Sequence, residues 1–352
     1  MTDAPSLRFL RPKRVLADQP GQPVGFRNVR LTPGEADLGL AAAIDRIALP
    51  RTPWSRAPFN VLAISGGAAG GAYGAGVLAG LSQAGSRPDF ALVTGVSTGA
   101  LIAPFAFVGP AWDERLRDAY TGGHAQTVFA LRRAAPGLQP SLFRARSLDS
   151  LIAPFVDEDL LEAVAQGHAE GRRLFVATTD LDRQRACIWD LGAIATQRHE
   201  AGVERAIDLF RQILAASASL PGVFPPRLIA CQSGERVYNE MHVDGGVAAP
   251  QITAGNLPAI LVRSFDTMLR FSYRQAISVT ATFCAGAGLP LDIASIPYDP
   301  RHGSMLKFDT ASMTRMFDTA VARARAHEVW APGAPEPETI AGQLFRTFRP
   351  AD

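Results

Sequence analysis

Leu92 to Phe107 reads LVTGVSTGALIAPFAF, an apolar run that meets Gly95-Val96-Ser97-Thr98-Gly99 and continues apolar beyond it. The pattern predicts a strand, a very tight turn and a buried helix. Glycines two before and two after Ser97 let strand and helix close without Cβ clashes, which pushes the serine clear of the sheet edge as an exposed nucleophile. In a chain with 32 glycines, G-x-S-x-G also arises by chance, so the surrounding sequence has to decide.

One βα unit upstream, Phe59 to Ser65 (FNVLAIS) is a short apolar run rich in β-branched residues. It stops at Gly66-Gly67-Ala68-Ala69-Gly70-Gly71-Ala72-Tyr73-Gly74-Ala75-Gly76, from which a helix runs to about Ala84. A strand, a glycine loop and a helix expose backbone N–H groups at a helix N-terminus, an anion site by geometry and dipole. A dinucleotide loop needs G-x-G-x-x-G at the turn, whereas Gly74-x-Gly76-x-x-Ala79 lies inside the helix. The G-K-[ST] of a phosphate loop is absent from the sequence. The third reading is an oxyanion hole on the Gly66-Gly67-Ala68 turn, beside the strand that carries Ser97.

Further along, Ala111 to Thr121 and Ser147 to His168 read as helices, the second broken near Pro154, with a loop around Pro136, Gly137 and Pro140 that could roof the site. Arg173 to Thr178 and Ala186 to Trp189 read as strands. Glu200 to Ala218 is a helix with apolar positions at Val203, Ile207, Phe210, Ile213 and Leu214, and prolines end it at LPGVFPP. Arg236 to Val243 reads as a strand delivering Asp244-Gly245-Gly246, whose carboxylate can reach the rim that carries Ser97. An isolated D-G-G is more often a plain strand-ending turn. A closing helix is expected over Phe308 to Val329. There is no internal repeat.

The 352 residues suffice for one large α/β domain or two smaller ones, and 47% hydrophobic against 19% charged residues indicates a folded, core-rich chain. A net charge of +2 with scattered Lys and Arg favours no nucleic-acid partner. Cys187, Cys231 and Cys284 form no C-x-x-C pair, so neither a metal nor a disulfide framework is expected, and no cofactor is called for. The charged N-terminus lacks a signal-type apolar region, and the long uncharged stretches are broken by glycine and proline. A cytoplasmic protein, at most peripheral at a membrane, is expected.

Taken together, SGGAAGGAYGAGVL, TGVSTGALIAPF, ASASLPGVFPP and HVDGG resemble, in order and spacing, the blocks of the patatin-like phospholipase family. The resemblance covers about residues 58–330, between an N-terminal extension (1–57) that packs on the domain or carries an unknown contact and a C-terminal tail (331–352). It implies a three-layer α/β/α sandwich with a mostly parallel central sheet, and lipid acyl hydrolysis by a Ser-Asp dyad of the phospholipase or carboxylesterase type. By position Ser97 matches the nucleophile, Asp244 the dyad aspartate, and Gly66, Gly67 and Ala68 the oxyanion turn. Gly71, Gly95, Gly99, Gly245 and Gly246 are the supporting motif glycines. The substrate implied is a lipid or other acyl ester.

Two positions depart from the family's G-G-G-x-R-G turn: Ala68 stands for its third glycine and Gly70 for its arginine. Alanine keeps a backbone N–H that can donate if its φ is negative. Two rival readings remain at this level. One is a three-residue esterase site using His302 or His327 as base, and the other is a lipid-binding or scaffold protein that kept the pocket and lost the chemistry.

Overall fold

The computed structural model describes residues 20–31, 60–126, 146–221, 224–247, 290–297 and 308–332, with a few positions between 277 and 285. Two short strands, β1 (Gln22–Pro23) and β2 (Arg30–Leu31), precede β3 (Asn60–Ile64), α1 (Gly71–Gln83), β4 (Phe90–Val96) and α2 (Thr98–Val108). Then come α3 (Asp113–Thr121), α4 (Arg146–Ile152), α5 (Glu158–Ala169), β5 (Arg173–Asp180) and β6 (Arg185–Asp190). The chain continues through α6 (Leu191–Thr196), α7 (Arg198–Ala201), α8 (Val203–Ser217), β7 (Arg227–Ser233) and β8 (Arg236–Asp244). A two-residue ribbon, β9 (Asp292–Ile293) with β10 (Ala331–Pro332), flanks α9 (Thr310–Arg325). A helical stretch expected from the sequence around Glu35 to Ile47, the loop around Pro136 and most of the apolar stretch Leu257 to Cys284, expected to be helical beyond Asp266, lie outside the described residues.

The helices start where the sequence supplies caps. Asp157, Asp190 and Asp309 accept from the N–H groups of Leu160 (3.1 Å), Ala193 (2.9 Å) and Ser312 (2.9 Å), each satisfying a donor left open in a first turn. Gly202, at φ 98°, divides the predicted helix over 200–218 into α7 and α8. α8 then buries Ala206, Leu209, Phe210, Ile213, Leu214 and Ser217 along one stripe. That stripe lies against β5, β7 and β8, while α2 covers β4 and β5 and packs on α5. Trp189, Phe107, Phe210, Leu160, Leu174 and Ile213 are among the side chains that fill the core completely. On the other flank α9 packs along α1, where a Cβ on Gly80 would sit 2.6 Å from the Ala324 Cβ, so two small residues let the helices approach.

The expectation of a mostly parallel sheet, and with it the parallel-sheet α/β/α sandwich, is corrected. Among the described residues only β3–β4 and β4–β5 are parallel; β5–β6, β5–β8, β7–β8, β1–β7 and β2–β6 are antiparallel. The reason lies in the connections. Four residues separate β5 from β6 and two separate β7 from β8, with Gln184 (φ 54°) and Gly234 (φ 59°) in left-handed turns. Such loops can join only antiparallel neighbours, because a parallel crossover needs a dozen or more residues. β7 was not anticipated from the sequence.

Residues 20–31 add a further feature. β1 pairs with β7 and β2 with β6, so this short segment bridges both ends of the run β7-β8-β5-β6 and nearly closes it into a barrel. Into that interior it inserts Arg30, which pairs with Glu240, lies 3.5 Å from Asp180 and donates to Gly21 O at 3.1 Å. Arg183 Nη1 reaches Glu240 at 2.7 Å and Asp180 at 3.0 Å. Burial alone would raise the Glu240 pKa, but the His242 hydrogen bond and the Arg30 and Arg183 charges hold it down at about 2. No helix among the described residues is long and apolar enough to cross a membrane.

Candidate active site

β4 and β8 both lie on the edge of β5 opposite β6. β4 runs parallel to β5 as far as Val96 opposite Ala177, and β8 runs antiparallel and ends with Asp244 opposite Thr178. Two strands of opposite direction therefore abut end to end on one edge. Ser97 leaves the end of one and Asp244 closes the other. Gly245 marks how tightly they meet, because a Cβ there would stand 2.5 Å from Ala177 O and 2.7 Å from Val96 Cγ2.

Ser97 sits at φ 56°, ψ −128°, the sharp strand-to-helix turn predicted from G-x-S-x-G. Such a backbone costs roughly 1–3 kcal/mol and persists only where neighbours over-determine it. Part of the restraint comes from Ser217, whose hydroxyl accepts from Ser97 N–H at 3.0 Å and donates to Ala177 O at 2.7 Å. The motif glycines serve close packing: a Cβ on Gly95 would meet Gly99 O at 2.6 Å, and one on Gly99 would meet the backbone oxygens of Ile64 and Ser65. α2 is thereby pressed onto the end of β3.

Asp244 is fully buried. Its N–H donates to Ser219 O, its carbonyl accepts from the Thr179 hydroxyl (both 3.0 Å), and Oδ1 accepts from Gly246 N–H at 2.8 Å. Oδ2 is also buried and meets no hydrogen-bond partner of good geometry among the described residues. Desolvation pushes its pKa up to about 6, against smaller lowering contributions from the nearby Ser97 side chain and the Gly246 N–H. A carboxylate tuned in this way is poised near neutral pH to exchange a proton with a neighbouring hydroxyl.

The glycine turn runs from β3 through Gly66 and Gly67 to a short 3-10 turn, Ala68–Gly70, which leads into α1. Ala68 lies at φ 48°, so the condition of a negative φ is not met and the alanine is held in left-handed backbone. Gly70 N–H donates to Gly67 O at 2.8 Å, and the Thr98 hydroxyl donates to Ala68 O at 3.0 Å. Of the alternative bases, His302 lies outside the described residues, and His327 is exposed just beyond the C-terminus of α9. α9 runs parallel to α1, with Phe317 beside Gly76 and Ala324 beside Gly80, so His327 lies near the end of α1 remote from the glycine turn. α1 spans 13 residues, roughly 20 Å, so that separation is large.

The family model for patatin-like phospholipase matches residues 62–258, more than half of the chain. The chain belongs to the patatin-like phospholipase family. Membership supports lipid acyl hydrolysis as the general activity. The crystal structure of VipD from Legionella pneumophila is similar at 12% identity and a TM-score of 0.34, over 77% of this chain and 67% of that one. No curated protein sequence matches.

Two residues beside Ser97 are not singled out by the sequence motifs that contain them. Ser217 carried a signal: it continues the buried stripe of α8 one turn beyond Phe210, Ile213 and Leu214, and a buried hydroxyl needs partners. Thr98 lies inside the quoted motif, but nothing local said that its side chain turns inward.

Proposed function

We propose that the protein is a serine-dependent acyl hydrolase acting on lipid or related acyl esters through a Ser97–Asp244 dyad. Ser97 Oγ attacks the ester carbonyl while its proton passes to Asp244. The alcohol leaves with a proton returned from the same carboxyl group, and a water deprotonated by Asp244 then releases the acid from the acyl-serine. Amide groups of Gly66 and Gly67 would stabilise the oxyanion in both steps, without the Ala68 N–H, whose positive φ turns it out of that role. The observation that carries this reading is the buried, half-unsatisfied carboxylate of Asp244, with its pKa pushed up to about 6, next to a serine on a strained turn.

Labelling with a fluorophosphonate tests the reading directly. Wild-type protein should be modified at Ser97, and Asp244→Asn should slow modification by about 100-fold or more, the range for loss of a general base. A folded protein with unreactive Ser97 would favour the lipid-binding alternative. Following which species disappear from mixed cellular lipids, relative to Ser97→Ala, identifies the acyl donor. Membrane contact, where the substrate requires it, would be peripheral.

A further inference from the structure

Thr98 follows the candidate nucleophile directly and opens α2, yet only 9% of it is exposed. Its hydroxyl donates to Ala68 O in the glycine turn at 3.0 Å. Its carbonyl accepts from the hydroxyl of Tyr120, a buried residue of α3, at 3.2 Å. Its methyl occupies the space that a Cβ on Gly71 would need, at the first residue of α1. One side chain thus ties the turn to the helix that leaves it, while its backbone is anchored from α3.

The turn requires such a hold. Left-handed backbone is unfavourable at a residue with a Cβ, and Ala68 adopts it at φ 48°. A strained peptide without restraint would relax and carry the amides of the turn with it. Resting on the acyl-hydrolase reading above, we propose that Thr98 is a positioning residue. Its hydroxyl fixes the Ala68 carbonyl so that the turn's amides stay aimed at the oxygen that becomes negative when Ser97 attacks. Because residues 97 and 98 are covalently joined, nucleophile and oxyanion donors then move as one unit.

Thr98→Val keeps the shape and removes only the hydroxyl; Thr98→Ser keeps the hydroxyl and removes the methyl. Thr98→Val is expected to lower kcat by about 100-fold, the usual consequence of about 1 Å of misplacement. KM should stay within about twofold, and fluorophosphonate labelling should slow in proportion. Thr98→Ser should restore most of the rate. Amide hydrogen exchange over 66–70 should quicken in Thr98→Val but not in Thr98→Ser. A folded Thr98→Val protein with wild-type kcat and wild-type exchange overturns the proposal, as does a change confined to KM. If Thr98→Val does not fold, Tyr120→Phe serves instead, with a smaller fall in kcat at constant KM supporting the role and an unchanged kcat refuting it. Wild-type turnover in Ser97→Ala would sink the acyl-hydrolase reading separately, and exchange at 66–70 would still judge the hold of Thr98 on the turn.

Discussion

If Asp244 is the base, its environment sets the pH at which the protein works. Desolvation moves its pKa from 3.8 to about 6, equivalent to roughly 3 kcal/mol favouring the neutral form. The perturbation is therefore a pH titration of kcat/KM on a short neutral chromogenic ester, with Asp244→Asn alongside. With a pKa near 6, the rate near pH 5 should fall to about one-tenth of its plateau. An ordinary aspartate would leave it above about nine-tenths. The same shift acts on stability with a definite sign. A carboxyl whose folded pKa is raised costs nothing below about pH 4, and its cost grows as pH rises through about 6. The thermal midpoint should therefore drop between about pH 4 and 6 in the wild type, level off above that, and change less in Asp244→Asn, which at neutral pH should be the more stable by about 1–3 kcal/mol. A rate profile flat from about pH 5 to 8, or a midpoint near 6 that survives in Asp244→Asn, would refute the assignment.

Further outcomes follow from the packing. Ala68→Gly removes left-handed strain and should raise stability by up to about 1 kcal/mol, measured as a higher thermal midpoint, without loss of turnover. Gly99→Ala places a methyl against the backbone oxygens of Ile64 and Ser65, so a loss of about 3 kcal/mol or more is expected in denaturant unfolding, together with loss of Ser97 labelling. Arg30→Met removes one of the two guanidinium groups that pair with Glu240 and Asp180 and should cost about 3–5 kcal/mol; addition of Glu240→Gln should recover part of it. Because Glu240 titrates at about 2 when folded, its contribution is in place above about pH 4.5 and is lost as pH falls towards 2, visible as acid unfolding that Glu240→Gln softens. Ser217→Ala leaves Ser97 N–H and Ala177 O without that partner and should slow Ser97 labelling by about tenfold, or roughly 1–2 kcal/mol.

The local devices are set by short stretches of sequence. Glycine spacing around Ser97, the Gly66-Gly67-Ala68 turn, the D-G-G closing a strand and the stripe on α8 are written in neighbouring residues, because backbone freedom and helical period act over a few positions. Tertiary structure alone decided the rest. The sheet is mostly antiparallel because the β5–β6 and β7–β8 connections are too short for crossovers. Residues 20–31 became part of a nearly closed barrel through partners more than 150 positions away. No local pattern shows that β4 and β8 abut on one edge of β5, that Thr98 turns inward or that Ala68 is left-handed. Those facts depend on which distant segment fills the space beside each residue, and only the folded chain supplies that neighbour.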